Sequence, residues 1–266
     1  MLRKPDKSCW HISLLAFQIA ISILFIGGCS PVASQEGIDG DLTIRDLAYD
    51  VNKSLGYTVY LLENEQYVPY LVLTDNYGGN CLLLRKHLLD DIKPFSKQSD
   101  VPSYYESSEI DSFLNSAFIS SLSSNLSTLI VVSDVVITDI LSIGSVGTDT
   151  FRIQRKVFLL SYTETAQEES LSNAVEGSPL KYFADDIDAV IAQTSVGQTA
   201  SWWLRTPNTA YFNTVYGISP EGYVGVCSVG GTEGTYENGV RPAFCLPEDT
   251  VIYQGKINAE EVYMIK

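Results

Sequence analysis

The last quarter of the chain leaves little choice of local structure. Four apolar runs, SWWLR (201–205), AYFNTVYGI (210–218), GYVGVCSV (222–229) and VRPAFCL (240–246), are short and rich in aromatic and β-branched residues, the composition of strands. A Ser-Pro-Glu-Gly segment at 219–222 and the loop GGTEGTYENG at 230–239 punctuate them as turns. The first half carries the same signal in TVYLL (58–62), YVPYLVL (67–73) and CLLLR (81–85), parted by ENEQ and DNYGGN. Helical rhythm appears between these blocks. Ile110, Phe113, Leu114, Ala117 and Phe118 keep an i, i+3, i+4, i+7, i+8 spacing behind Ser107 or Ser108, which predicts an amphipathic helix with a serine cap. Leu42 to Leu55 predicts a short first helix, LIVVSDVVI (129–137) a buried strand or extended segment, and VFLLS (157–161) a short buried strand. Ser161 and Glu164 form an S-x-x-E capping box that predicts another helix. With no internal repeat, the expected class is α+β, with small, mostly antiparallel sheets, two or three flanking helices and long loops.

The N-terminus speaks to address. Arg3, Lys4 and Lys7 precede a mostly apolar stretch from Ile12 to Gly28, the form of a secretory signal. That stretch runs into Ile26-Gly27-Gly28-Cys29, which resembles the bacterial lipobox and implies lipidation of Cys29. Ser30 to Asp41 is small, polar and proline-containing, as in a flexible tether. The expected organisation is a signal peptide at 1–28, a tether at 29–41 and one extracellular domain at 42–266, lipid-anchored to the outer face of a cell membrane. An uncleaved membrane helix at 12–28 is the alternative.

Charge and residue counts exclude several chemistries. Loss of residues 1–28, with three basic residues and one acidic, takes the net charge from −15 to −17. Such a surface repels nucleic acid and anionic lipid. Of two histidines, His11 lies in the signal, so a Ser-His-Asp triad would have to use His87, and a multi-histidine zinc site cannot be built. His87 reads as a surface or helix-end residue. No cysteine spacing is C-x-x-C, and no cofactor is implied. Cys227 and Cys245 fall opposite one another if their runs fold back about residues 230–239, so a disulfide and a pair of buried thiols are both open. Asp185, Asp186 and Asp188 offer clustered hard oxygens that would suit calcium, with first-turn helix charge as their other role.

The ordered motifs S-E-I-D-S-F-L-N, K-V-F-L-L-S-x-x-E, W-W-L-R-T-P and G-V-R-P-A-F resemble a bacterial extracellular family of domains of unknown function, over about residues 58–248. More distantly, a tryptophan-bearing strand, long loops and a late Val-Arg strand are similar to C-type-lectin-like domains of the sulfatase-modifying (formylglycine-generating) type. That resemblance implies termini paired in one sheet, helices beside it and ligand contacts on loops. It does not imply oxidase activity, because that type has a closely spaced cysteine pair, whereas Cys227 and Cys245 stand far apart in the sequence.

Within SWWLRTP, strand alternation sends Trp202 and Leu204 to one face and Trp203 and Arg205 to the other. An arginine in an apolar strand needs acceptors or an aromatic plane, so Arg205 and Arg241 tie carbonyls or bury an acidic partner, or else line a pocket. Candidate ligand contacts are Trp203 and Arg205 with Tyr211, Phe212, Tyr236, Glu237 and Asn238 on the two late loops, which are turn-rich and tyrosine-bearing. The leading expectation is a non-catalytic recognition module for a glycan or for an envelope or host protein. A structural envelope component and a carboxylate-based envelope hydrolase are the alternatives.

Overall fold

A computed structural model describes residues 42–51, 54–98, 101–167, 174–230 and 237–265. Their strands are β1 (Thr58–Glu63), β2 (Gln66–Thr74), β3 (Cys81–Arg85), β4 (Lys93–Pro94), β5 (Ser133–Thr138), β6 (Thr150–Arg155), β7 (Val157–Phe158), β8 (Trp202–Pro207), β9 (Thr214–Ile218), β10 (Val224–Ser228), β11 (Glu237–Asn238), β12 (Ala243–Leu246), β13 (Tyr253–Ile257) and β14 (Glu260–Met264). The helices are α1 (Glu109–Phe113), α2 (Ile119–Ser121), α3 (Ser124–Leu129) and α4 (Lys181–Asp185), with a π-helical stretch at Leu114–Phe118 joining the first two. The class is α+β.

Seven strands form the main sheet in the order β13-β14-β1-β2-β3-β12-β7. Asn64 and Glu65, both with positive φ, make the tight turn between β1 and β2. β1 lies parallel to β14, so the first and last thirds of the domain meet in mid-sheet, while β12 runs antiparallel to β3 and β7. β3 and β12 are buried along their whole length, which explains why CLLLR and AFCL read as continuous apolar runs rather than alternating ones. A three-stranded sheet β10-β9-β8 and two-stranded pairs β11-β4 and β5-β6 pack around this centre.

The helical segment from residue 109 begins where a serine cap is expected: Ser108 Oγ accepts from the Asp111 amide at 3.1 Å. Its other task is to close a sheet edge. Val157 on the edge strand β7 points its amide and carbonyl away from β12, toward Asn115. Asn115 Oδ1 accepts from Val157 N at 3.2 Å and Nδ2 donates to Val157 O at 2.8 Å, so one side-chain amide replaces a missing strand. The π stretch holds Asn115 at that edge, a setting in which such bulges commonly position a working residue.

Three expectations are corrected. The described residues of the segment 42–55 form no α-helix. Only a 3-10 turn, Ile44–Leu47, is present, because Thr43 and Asp46 close on one another and Thr43 bridges to Val251. The Ser161–Glu164 box has both of its hydrogen bonds, Ser161 N to Glu164 Oε2 at 2.9 Å and Glu164 N to Ser161 Oγ at 3.0 Å, yet residues 162–166 form turns. Cys227 and Cys245 do not face one another: Cys227 pairs with Val215 in the three-stranded sheet, and Cys245 with Leu82 in the main sheet. Both, like Cys81, are buried thiols. Burial pushes the Cys245 and Cys81 thiols up to about 12, so both stay protonated at neutral pH.

Candidate recognition cleft

Strand β8 is buried on both faces, so the alternation that separates Trp202 from Trp203 sorts two interiors rather than a core and a surface. Trp202 donates its indole N–H to Val190 O at 3.0 Å, and Trp203 donates to Lys93 O at 2.7 Å while packing edge-on against Phe95. Arg205 is wholly buried. It makes a bidentate pair with Glu164, Nη1 to Oε2 at 2.7 Å and Nη2 to Oε1 at 2.9 Å, and donates to Val136 O and Leu159 O. Glu176 faces the same guanidinium at 3.6 Å and accepts from Thr206 Oγ1, Thr138 Oγ1 and Thr138 N. The pattern K-V-F-L-L-S-x-x-E thus supplies the carboxylate that W-W-L-R-T-P needs.

The electrostatics follow from this closure. Burial alone pulls the Arg205 guanidinium down, but Glu164 and Tyr77 outweigh it and hold it above its usual range. Burial raises the Glu176 carboxyl, against the opposing pull of Arg205 and the two threonines. Among the described residues Arg241 pairs with no carboxylate. It donates to Arg85 O at 3.0 Å and Lys86 O at 3.3 Å and lies 5.3 Å over the Trp202 ring, and burial lowers it to about 10. Gly239, the parallel-bridge partner of Trp202, admits no side chain, because a Cβ there would sit 2.7 Å from the Leu88 side chain and 2.9 Å from Ser201 O.

Tyr77 links this interior to a cleft. Its hydroxyl donates to Glu164 at 2.7 Å and its ring stacks on Phe158 at 5.5 Å. Burial and Glu164 raise its pKa, so the phenol remains a donor. Around it opens a cleft of about 600 Å³. One wall is the outer face of the β5–β6 hairpin, with Asp134 paired to Gln154 and Val136 to Arg152; the other is the turn 76–80 and the segment 177–181. Asn76, Asn80, Gln154, Arg152 and Lys181 bring amides and cations to it, and Asp50 and Asp134 bring carboxylates. Gly177, at φ +92°, forms the lip: a Cβ there would lie 2.9 Å from Glu164 Oε1, so the backbone must come bare to the network.

The sequence-based candidates separate. Trp203 and Arg205 belong to the interior and reach no surface. Tyr211 and Phe212 are exposed, on a loop that meets residues 139–147 rather than the cleft. Tyr236 lies outside the described residues, as does Cys29. Glu237 and Asn238 form β11, where Asn238 accepts from Ser201 Oγ at 2.6 Å, so they serve strand pairing. Asp185 accepts from Tyr49, and Asp186 caps the 3-10 turn Ile187–Val190 by accepting from Asp188 N. Among the described residues no group of three His, Cys, Asp or Glu side chains is placed to hold a metal ion. His87 is half-buried and forms a parallel bridge with Gln193. The cleft residues escaped sequence reading because they come from four distant segments, with no spacing that unites them.

Residues 78–248 match the family model described as Domain of unknown function (DUF6273). That match spans the Asn115 helix, the Glu164 turn, β8 and β12. Comparison with curated proteins and with solved structures gave no match to either.

Proposed function

The chain belongs to the DUF6273 family of domains of unknown function, and from that premise we propose that it is a surface lipoprotein of a bacterial cell, anchored through Cys29, whose domain recognises a neutral glycan in the cleft beside Tyr77. The observation that carries this reading is the lining of that cleft. Asn76, Asn80 and Gln154 line it with side-chain amides, each holding donors and an acceptor in one plane, the pattern that pairs with adjacent sugar hydroxyls; Asn80 Nδ2 also donates to Gly78 O at 3.2 Å. Its volume of about 600 Å³ lies within the range of small-molecule sites. The fold we favour is C-type-lectin-like. In its support, early and late strands β1 and β14 lie side by side, and the cleft is built chiefly from loops and a hairpin.

The role is non-catalytic recognition. In support, the buried carboxylates are committed to structural partners: Glu63 to Arg85 and Tyr70, Asp111 to Arg155, and Glu164 and Glu176 to the Arg205 network. A glycan array followed by calorimetry on a selected sugar tests the reading. Asn80→Ala with Gln154→Ala removes two sets of hydrogen bonds, each worth about 1 kcal/mol, and weakens binding at least tenfold, or about 1.4 kcal/mol. Tyr211→Ala leaves it unchanged. Loss with Tyr211→Ala alone would transfer the site to the late loops, and no binding across a broad panel would retire the glycan.

A further inference from the structure

The hairpin β5–β6 ends in a tip that the cleft does not use. Residues 140–148, ILSIGSVGT, and 206–216, TPNTAYFNTVY, contain no charged side chain, in a chain of net charge −15. The two segments are joined: Gly144 N and Val146 N both donate to Thr209 O, at 2.9 and 3.0 Å, and Gly144 packs against Phe212. Together they expose Leu141 (84%), Val146 (57%), Tyr211 (54%), Phe212 (52%) and Ile140 (45%). Val146 is held at φ +58°, a left-handed conformation that a β-branched side chain rarely adopts. Asp139 and Asp149 flank the tip at its base: Asp139 Oδ1 accepts from the Leu141 amide, and Asp149, bonded through its backbone to Ser142 and Asp139, is exposed.

We propose that this tip docks on the lipid surface to which the chain is tethered, with Leu141 and Phe212 entering the interfacial zone of a zwitterionic bilayer. Charge argues for that occupant. A strongly acidic body is repelled by anionic lipid, while an uncharged cluster of one tyrosine and four apolar side chains matches the interface of a neutral bilayer. Reach allows it. The thirteen residues 29–41 can span at most about 45 Å, comparable with the diameter of a domain of this size, a reach sufficient for this face to turn to the membrane. The inference rests on the lipoprotein address proposed above.

The test uses the full chain with phosphatidylcholine vesicles, with and without brominated acyl chains. Flotation reports the anchor. Leu141→Trp reports the tip, with Val196→Trp, in the exposed turn 194–198, as control. The expected result is flotation of both variants, at least twofold stronger bromolipid quenching for Leu141→Trp than for Val196→Trp, and loss of amide-exchange protection over residues 139–147 in Phe212→Asp. Flotation with equal quenching overturns the docking and leaves the anchor standing. Absence of flotation overturns both. Sedimentation of Leu141→Asp as a smaller species than the parent chain would assign the tip to a second copy and also overturn the proposal.

Discussion

Replacement of Glu164 by glutamine is the sharpest probe of the interior. The change keeps the shape and removes one charge, yet no orientation of the new amide fits. Oε1 accepts from Tyr77 Oη and Arg205 Nη2, and Oε2 accepts from Ser161 N and Arg205 Nη1. Whichever position takes the NH2 group, an N–H then points at a guanidinium N–H, and at the Oε2 position it also meets the Ser161 N–H. Arg205 also loses its closest countercharge, with only Glu176 left at 3.6 Å. Breaking one side of a buried pair costs about 3–5 kcal/mol, a large share of a total stability of about 5–15 kcal/mol. At about 2–4 °C per kcal/mol for a domain of this size, Tm falls by about 6–20 °C. Urea unfolding followed by tryptophan fluorescence reads the loss directly, because Trp203 and Trp202 precede Arg205 on the same strand. Glu164→Met with Arg205→Met should cost less than the sum of the two single changes, since neither partner is then left charged alone. A Glu164→Gln loss below about 1 kcal/mol, or strict additivity in the double variant, would refute the description of this pair as a closed buried ion pair.

Two further outcomes are expected. Burial raises the Asp111 carboxyl from 3.8 to about 6 despite Arg155 at 2.9 Å. Its contribution to stability is therefore full below the unfolded value and lost as pH rises through about 6; Asp111→Asn should flatten the stability profile between those limits, and an unchanged profile would contradict the shift. Peptide mapping without reductant should find no Cys227–Cys245 linkage, as their strands lie in different sheets; recovery of that linkage would refute the strand assignment.

Local rules carried the strands well. TVYLL, YVPYLVL and CLLLR fall on β1, β2 and β3, and the helix cap falls on Ser108, because in each case periodicity and turn residues agree. What local rules missed is where a side chain has a distant competitor for its hydrogen bonds. Glu164 fits a helix cap by spacing, and it does cap Ser161, but Arg205 and Tyr77 claim its remaining lone pairs and the chain turns instead of coiling. Arg205 was legible as an arginine in need of an acidic partner; which carboxylate answers depends on contacts 41 residues apart. The folding back of Cys227 onto Cys245 failed for a related reason. β10 takes β9 as its partner and β12 takes β3, so the two cysteine strands, near in sequence, lie in different sheets.

The parallel pairing of β1 with β14 also sets an order of events in time. Val59 has no strand to its outer side until Tyr263, 204 residues further along the chain, arrives. Contacts of such long sequence separation form slowly, so this edge of β1 stays open until β14 has been made. For the surface lipoprotein proposed above, such late closure would keep the translocating form threadable and hand the final step to the far side.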